Sequence, residues 1–320
     1  MAVDVPAQHG ALIPAPQMST AASGTAARER SRVALVTCAA LPDLDPDDRL
    51  LRAALAERGV AAQPAVWDAA ATDWAGYDLV VLRSPWDYPA RRGEFVDWAS
   101  RVPRLANPAA VIAWNTDKTY LRELAAAGIP VVPTDWVPPG GSWTPSPAGE
   151  YVVKPTVSAG SRDTGRYDLA DGAQRALAAA HVTRLTAAGR TAMVQPYLSA
   201  VDTAGETALL WLAEPDGPPV FSHAVRKGPL LDGPDLGEEG LYRPEDITAR
   251  TATAAELALA RRVLDAVPGG DGLLYARVDL IPGPGGEPVL LELELTEPSL
   301  FLAFADGAAD RLAAAIHARL

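Results

Sequence analysis

Tyr275-Ala-Arg277-Val-Asp279-Leu-Ile281 and Val289-Leu-Leu-Glu292-Leu-Glu294-Leu295, separated by Pro282-Gly-Pro-Gly-Gly286, read as two strands joined by a reversal. Side chains alternate faces along a strand, so Glu292 and Glu294 share one face, with leucines on the other. A turn centred on Gly285-Gly286 would set Asp279 opposite Glu292 and Arg277 opposite Glu294. Three acids and one arginine then crowd a single patch. Carboxylates are costly to bury unless something offsets their charge. Arg277 can offset one; a hard divalent cation with oxygen ligands would offset the rest, and Mg²⁺ with nucleotide phosphates suits such a patch best. The competing reading is a strand edge whose acids are simply solvated.

The rest of the chain narrows the choice by exclusion. Its 320 residues allow two or three lobes with a sizeable core, and 48% hydrophobic with 21% charged residues is ordinary for a soluble globular protein. A formal net charge of −12 argues against non-specific binding of nucleic acid or of an anionic membrane. The single cysteine, Cys38, follows the apolar run Val33 to Val36 and reads as a core-edge residue; it rules out a disulfide framework and a Cys-rich zinc site. His9, His181, His223 and His317 are scattered without zinc-ligand spacing. No window holds the ~18 apolar residues of a membrane span, and residues 1–31 read as a disordered tail without a signal peptide's basic start and apolar stretch. A cytoplasmic protein is expected.

From Arg32 onward, strands alternate with helices. Val33 to Thr37 and Asp78 to Arg83 read as buried strands, and Asp47 to Arg58 and Glu94 to Val102 as helices, which together suggest a small parallel α/β lobe. Asn107 to Trp114 reads as a short connection. Thr116 or Asp117 should cap the next helix, with Leu121 and Leu124 on its apolar face and Gly128 at its end. Lys118 would then lie in a first turn, where free N–H groups favour anions. Strands fit Tyr151 to Pro155, Ala192 to Leu198, Thr207 to Leu212 and Pro219 to Arg226, and helices fit Ala173 to Ala188 and Ala254 to Val267. Lys154 closes a strand just before Ser158-Ala159-Gly160-Ser161, a run of small residues whose N–H groups could close over phosphates. The loop from Gly228 to Gly240, rich in Gly, Pro and acids, is expected to order on ligand binding.

Taken in order, these parts resemble the ATP-grasp superfamily, specifically its glutathione-synthetase-like branch, over about residues 32 to 315. The resemblance implies an α/β (α+β) three-lobed fold: an N-terminal α/β lobe over 32–113, a central lid lobe over 114–198 and a C-terminal, metal-holding lobe over 199–320. It also implies ATP with Mg²⁺ or Mn²⁺ as cofactors. Lys118 and Lys154 match the phosphate-binding lysines, and Ser158 to Ser161 the loop over the phosphates. Gln195, Tyr197 and Leu198 match the adenine hinge, and Glu206 the acid that binds ribose. Arg226 matches the arginine that stabilises the transferring phosphoryl group, with Arg277 and Lys154 as further catalytic residues. Asp279, Glu292 and Glu294 match the metal acids, although many relatives carry Asn at the position of Glu294.

Arg83-Ser-Pro-Trp86, Val153-Lys-Pro-Thr156, Gln195-Pro-Tyr197, Ser222-His-Ala224 and Glu297-Pro-Ser299 look most similar to O-ureido-serine cyclo-ligases, which activate a carboxylate and close a ring through a nitrogen of the same molecule. Asp87-Tyr88 and the loop from Val157 to Gly165 depart from that pattern, and Arg226 stands where it has a histidine. The implied activity is carbon–nitrogen ligation through an acyl phosphate. An intermolecular peptide or amide ligase is the alternative, and a non-catalytic nucleotide-binding protein a third reading. The substrate would be a small, amino-acid-like carboxylate, and a homodimer is the expected assembly. Substrate contacts are expected from Arg83, Ser84, Trp86, Asp87 and His223: Arg83 could hold a carboxylate and Asp87 an ammonium. Against that, Trp86 and Tyr88 could pack an inter-lobe contact, Asp87 could cap a helix, and His223 could be structural. Glu297 could orient the metal acids or cap a helix at Ser299. Asp43-Leu-Asp45-Pro-Asp47-Asp48 looks like the start of a calcium loop, but it lacks the turn glycine and the bidentate Glu.

Overall fold

The computed structural model describes residues 30–215, 217–235, 241 and 245–320. Nearly all of the expected tail, and residues 236–240 of the expected loop, lie outside the described residues.

Three sheets carry the chain. The first has the parallel order β2-β1-β3-β4, from β1 (Arg32–Thr37), β2 (Ala61–Val66), β3 (Leu79–Ser84) and β4 (Leu105–Ala106). Its central strands are buried on both faces, which is why they read as unbroken apolar runs rather than alternating ones. The second sheet is antiparallel, β5-β8-β6-β7, from β5 (Asp135–Val137), β6 (Glu150–Pro155), β7 (Gly165–Asp168) and β8 (Ala192–Pro196). The third, β11-β10-β9-β12-β13, is antiparallel too: β9 (Glu206–Ala213), β10 (Pro219–Lys227), β11 (Ile247–Arg250), β12 (Tyr275–Pro282) and β13 (Pro288–Glu294).

Helices α1 (Asp48–Glu57), α2 (Arg92–Arg101), α3 (Ala109–Asn115), α4 (Tyr120–Ala126), α5 (Gly172–Ala187), α6 (Ala200–Ala204), α7 (Ala254–Asp265) and α8 (Ala308–His317) cover the sheets. Leu51 and Leu55 of α1 and Leu312 and Ile316 of α8 join one face of the first sheet to Ala208, Leu210 and Leu212 of β9 in a shared core. Spacings of four to a helix turn give each helix the single apolar stripe this needs. On the other face of the third sheet, Leu259 and Val263 of α7 pack with Leu209, Val278 and Leu293. That helix opens with a capping box between Thr253 and Glu256.

Several expectations change. The span from Asn107 to Trp114 contains α3 rather than a plain connection, so the boundary expected at 113/114 falls inside a helix. Helix α4 starts two or three residues later than expected, after Thr119, with no side-chain cap; Asp117 instead accepts the Thr119 amide in a local turn at 3.0 Å. Lys118 therefore sits in a tight turn before α4, not in a helical first turn. Tyr120, Leu121 and Leu124 pack α4 against the third sheet, in a core that also takes in Met193 of β8 from the second. Short β2, β4, β5, β7 and β11 and helices α6 and α8 complete the fold without having been foreseen.

β13 is the last strand of its sheet; Leu290 bridges backbone to backbone with Pro130 and Val132, and beyond that bridge the open edge is closed by side chains. Asn115 donates to Leu293 O at 2.8 Å and accepts from Leu295 N at 2.7 Å. The Tyr120 hydroxyl accepts from Leu293 N and donates to Leu293 O, both at 2.8 Å. Asn107 donates to Leu295 O at 2.6 Å and Tyr275 O at 3.0 Å and accepts from Leu274 N. These amide and hydroxyl groups stand in for a missing neighbour strand.

Candidate active site

The β12–β13 register matches the expectation: Asp279 pairs with Glu292 and Arg277 with Glu294. A bulge beside Leu280 leaves that pairing intact. Leu293 and Leu295 turn into the core behind the strand, so Glu292 and Glu294 must turn forward. They face a cleft of about 410 Å³ between the three sheets, well within the range of small-molecule sites.

Basic groups of the chain meet these acids. Asp279 accepts from Arg277 Nε at 2.9 Å and Nη2 at 3.0 Å, and from Lys227 Nζ at 3.1 Å. These cations hold its carboxyl below the ordinary value against the opposing effect of burial. Lys118 Nζ lies 3.1 Å from Glu292, and Arg277 also pairs with Glu294. Burial nevertheless pushes Glu294 up to about 8; Arg277 pulls it down, while Glu292 and Asp279 push it further up. Among these three acids Glu294 is the one whose paired cation does not outweigh burial and its acidic neighbours. As a ready metal cage it falls short of expectation: no group of three or more Asp, Glu, His or Cys among the described residues is gathered as an ion site. Its donors are all carboxylate oxygens, the chemistry a hard cation prefers.

Lys118 also donates to Ser158 O at 3.0 Å and Ser158 Oγ at 3.2 Å, tying the turn before α4 to the small-residue loop. Lys154 enters the same cleft from the end of β6. Burial lowers its pKa, Glu292 raises it and Lys118 lowers it further, so an anion between the two lysines would find charge already desolvated. Ser158, Ala159, Gly160 and Ser161 line the cleft, and the backbone turns left-handed at Gly160 and Ser161. Gln195, Tyr197 and Leu198 line it with Val132, Val152 and Ile281, a pocket with apolar walls. Gln195 Nε2 donates to Thr134 Oγ1 at 2.9 Å, and the Tyr197 ring lies 3.6 Å beneath the Arg166 guanidinium.

Glu206 is in the cleft, 3.2 Å from Lys227. The pair follows from strand register, since Lys227 stands opposite Glu206 and Arg226 opposite Thr207. Arg226 therefore points away from the site. Its Nε donates to Ala204 O at 2.9 Å, around Gly205 (φ +75°), where a Cβ would come within 2.5 Å of Lys227 O. The residue that sequence reasoning missed is Lys227, held charged by Asp279, Glu206 and Glu245 although burial opposes it. Its signal was available: only one of two adjacent strand residues can share a face with Glu206.

The expected substrate contacts are also redistributed. Trp86 lines the cleft, and its Nε1 donates to Glu297 O at 3.0 Å. Arg83, Ser84, Asp87 and His223 do not line it. Arg83 is buried, paired with Asp48 at 2.7 Å and donating to Pro298 O at 3.1 Å. Ser84 Oγ meets Thr37 Oγ1 at 2.9 Å. Asp87 accepts from Trp67 Nε1 at 2.8 Å and pairs with Arg91 at 3.3 Å, and it makes no helix cap. The His223 imidazole lies between Ser222 Oγ and Leu300 O. Their polarity supports the scaffold. Of the acids that resembled a calcium loop, Asp45 and Asp47 line the cleft, and Asp47 also accepts the amides of Leu302 and Ala303.

Among the described residues no helix is long and apolar enough to cross a membrane. Residues 33–107 match the family described as D-cycloserine synthetase DcsG, N-terminal domain. The cycloserine biosynthesis protein DcsG of Streptomyces lavendulae is 39% identical over 309 residues, 90% of this chain and 98% of that protein. The crystal structure of D-cycloserine synthetase DcsG superposes with a TM-score of 0.77 at 36% identity, covering 90% of this chain and 99% of that one. The RimK domain ATP-grasp protein of Sphaerobacter thermophilus shares the fold at a TM-score of 0.62 and 20% identity, over 90% of this chain and 98% of its own. With a relative at this identity matched over 98% of its length and a solved structure superposing over 99% of its own, the chain belongs to the DcsG family of ATP-grasp enzymes.

Proposed function

We propose that the chain is an ATP- and Mg²⁺-dependent carbon–nitrogen ligase of the cytoplasm that closes a ring in O-ureido-serine or a close analogue. The observation that carries this reading is the convergence, in one cleft, of Lys118, Lys154 and the Ser158–Ser161 loop opposite the carboxylates of β12 and β13. The three lobes, each built on one of the three sheets, would close on that cleft.

Lys118, Lys154 and the loop amides bind the phosphates, while Gln195, Tyr197 and Leu198 hold the base and Glu206 the ribose. Arg277 and Lys227 take over the stabilisation of the transferring phosphoryl group that Arg226 is turned too far away to provide. Glu292, Glu294 and Asp279 would hold Mg²⁺, which when bound neutralises phosphate charge. A substrate carboxylate oxygen attacks the γ-phosphorus and ADP leaves. The nitrogen nucleophile then attacks the acyl carbon, forming C–N, and inorganic phosphate departs. Preorganised cations in a water-poor cleft supply most of the acceleration such a reaction needs.

The test is ADP release from Mg·ATP with and without O-ureido-D-serine, with product mass read from the same sample. Substrate-dependent ADP with a cyclic product supports the ring-forming reading. ADP that appears only with a carboxylate and a separate amine would replace it by intermolecular ligation, and no ADP with any carboxylate would leave a nucleotide-binding protein.

A further inference from the structure

Five glutamates line the described cleft, and four have a cation beside them. Lys227 meets Glu206 at 3.2 Å and Glu245 at 3.5 Å, Lys118 meets Glu292 at 3.1 Å, and Arg277 pairs with Glu294. Glu297 is different: among the described residues it has no ion pair, and the group its side chain hydrogen-bonds is the neutral Tyr88 hydroxyl.

Its backbone, by contrast, is held on all sides. Four consecutive carbonyls accept side-chain donors from separate elements: Glu297 O from Trp86, Pro298 O from Arg83 at 3.1 Å, Ser299 O from Arg277 at 3.2 Å and Leu300 O from His223 at 3.0 Å. Phe301 follows in a left-handed conformation, φ +50°. Arg83 and His223, read from sequence as substrate ligands, instead fix the turn that presents Glu297. A rigidly placed carboxylate that lines the same cleft as Lys118, Lys154 and Glu292 is suited to moving a proton.

We propose that Glu297 accepts the proton of the nitrogen nucleophile as the C–N bond forms, a role that rests on the ligase reading above. Nitrogen gives its lone pair to the acyl carbon, the bond from that carbon to the phosphate oxygen breaks, and inorganic phosphate carries off the electron pair. The N–H proton passes to the Glu297 carboxylate and from there to solvent, so no further reactant is needed. Burial pushes the Glu297 carboxyl up to about 7. The groups facing it are Tyr88 from the turn after β3, Lys118 before α4, Glu292 on β13 and Arg277 on β12; Tyr88, Lys118 and Arg277 draw its pKa down and Glu292 raises it. Near neutral pH it is divided between base and acid forms, as a general base working at that pH should be.

The experiment compares wild type with Glu297→Gln and Glu297→Asp, using Mg·ATP and O-ureido-D-serine, with hydroxylamine to trap the acyl phosphate. General-base removal costs about 10²–10⁴-fold. Glu297→Gln should therefore form cyclic product at least ~100-fold more slowly while its hydroxamate yield stays near wild type, with Glu297→Asp in between. The wild-type product rate should rise with pH through about 7, and Glu297→Gln should lose that limb. Product formation within about threefold of wild type, or an equal loss of hydroxamate, would overturn the assignment. ¹³C titration of the labelled glutamate carboxyls, with Glu297 identified by its absence in Glu297→Gln, decides independently of turnover. A value near 7 supports the role, and one near the ordinary ~4.3 overturns it. Should wild type release no ADP with O-ureido-D-serine, the substrate reading fails and the titration alone judges Glu297.

Discussion

Replacing Arg83 with methionine separates the two readings of that residue. Its guanidinium and the Asp48 carboxylate are 2% and 1% exposed and 2.7 Å apart. The pair is already under-compensated: among the described residues Asp48 Oδ2 has no hydrogen-bond partner, and burial raises the Asp48 pKa even though Arg83 lowers it. Removing the arginine would strand both the Asp48 carboxylate and Pro298 O. Losing one partner of a buried pair costs about 3–5 kcal/mol, a large part of a typical stability of about 5–15 kcal/mol. Urea unfolding at pH 7.5, followed by tryptophan fluorescence, should show a loss of that size for Arg83→Met. Asp48→Leu with Arg83→Met should regain most of it, since apolar replacement of both partners is close to neutral. The pH dependence has a definite sign. A stranded Asp48 has a folded pKa above its unfolded one, so it binds extra protons when folded, and the deficit should shrink as pH falls below neutrality. A loss under about 1 kcal/mol, accompanied by a selective rise in KM for the carboxylate substrate, would refute this reasoning and restore Arg83 as a substrate anchor.

Lys227→Met should lower kcat by about 10²-fold or more, as the loss of one preorganised charge does, whereas Arg226→Met should stay within threefold of wild type; the reverse order would mean that the β10 register has been misjudged. Lys154→Ala should depress substrate-dependent ADP release by about 10²–10³-fold with an unchanged thermal midpoint, and retained turnover would remove Lys154 from the phosphate site. Thr253→Ala, which deletes the cap of α7, should cost about 1 kcal/mol in urea unfolding and leave kcat unchanged.

The hairpin was legible because strand alternation is local. Once the turn is placed at Pro282 to Gly286, Asp279 must face Glu292, and the leucines between the acids must form the opposite face. The central parallel strands were legible for a related reason, since burial on both faces leaves a run of apolar residues. Helix α3 was missed because Ala109 to Asn115 is short and Pro108 precedes it, a combination that also fits a loop. The edge closure of β13 by Asn107, Asn115 and Tyr120 joins residues more than 160 positions apart along the chain, and no local pattern announces it.

By itself the sequence determined which residues could carry charge into a site and which strand residues share a face, because both follow from residue type and a two-residue period. Only the tertiary structure decided which face met the cleft. Arg226 and Lys227 are neighbours with the same charge, and the pairing of β10 with β9 sends one to the α6 backbone and the other to Asp279. Arg83, His223 and Glu297 divide in the same way: two are spent holding carbonyls of a turn, and the third keeps a carboxylate with no ion pair among the described residues. Charge is a property of a side chain, but whether it is paired, buried or available depends on what the rest of the chain packs beside it.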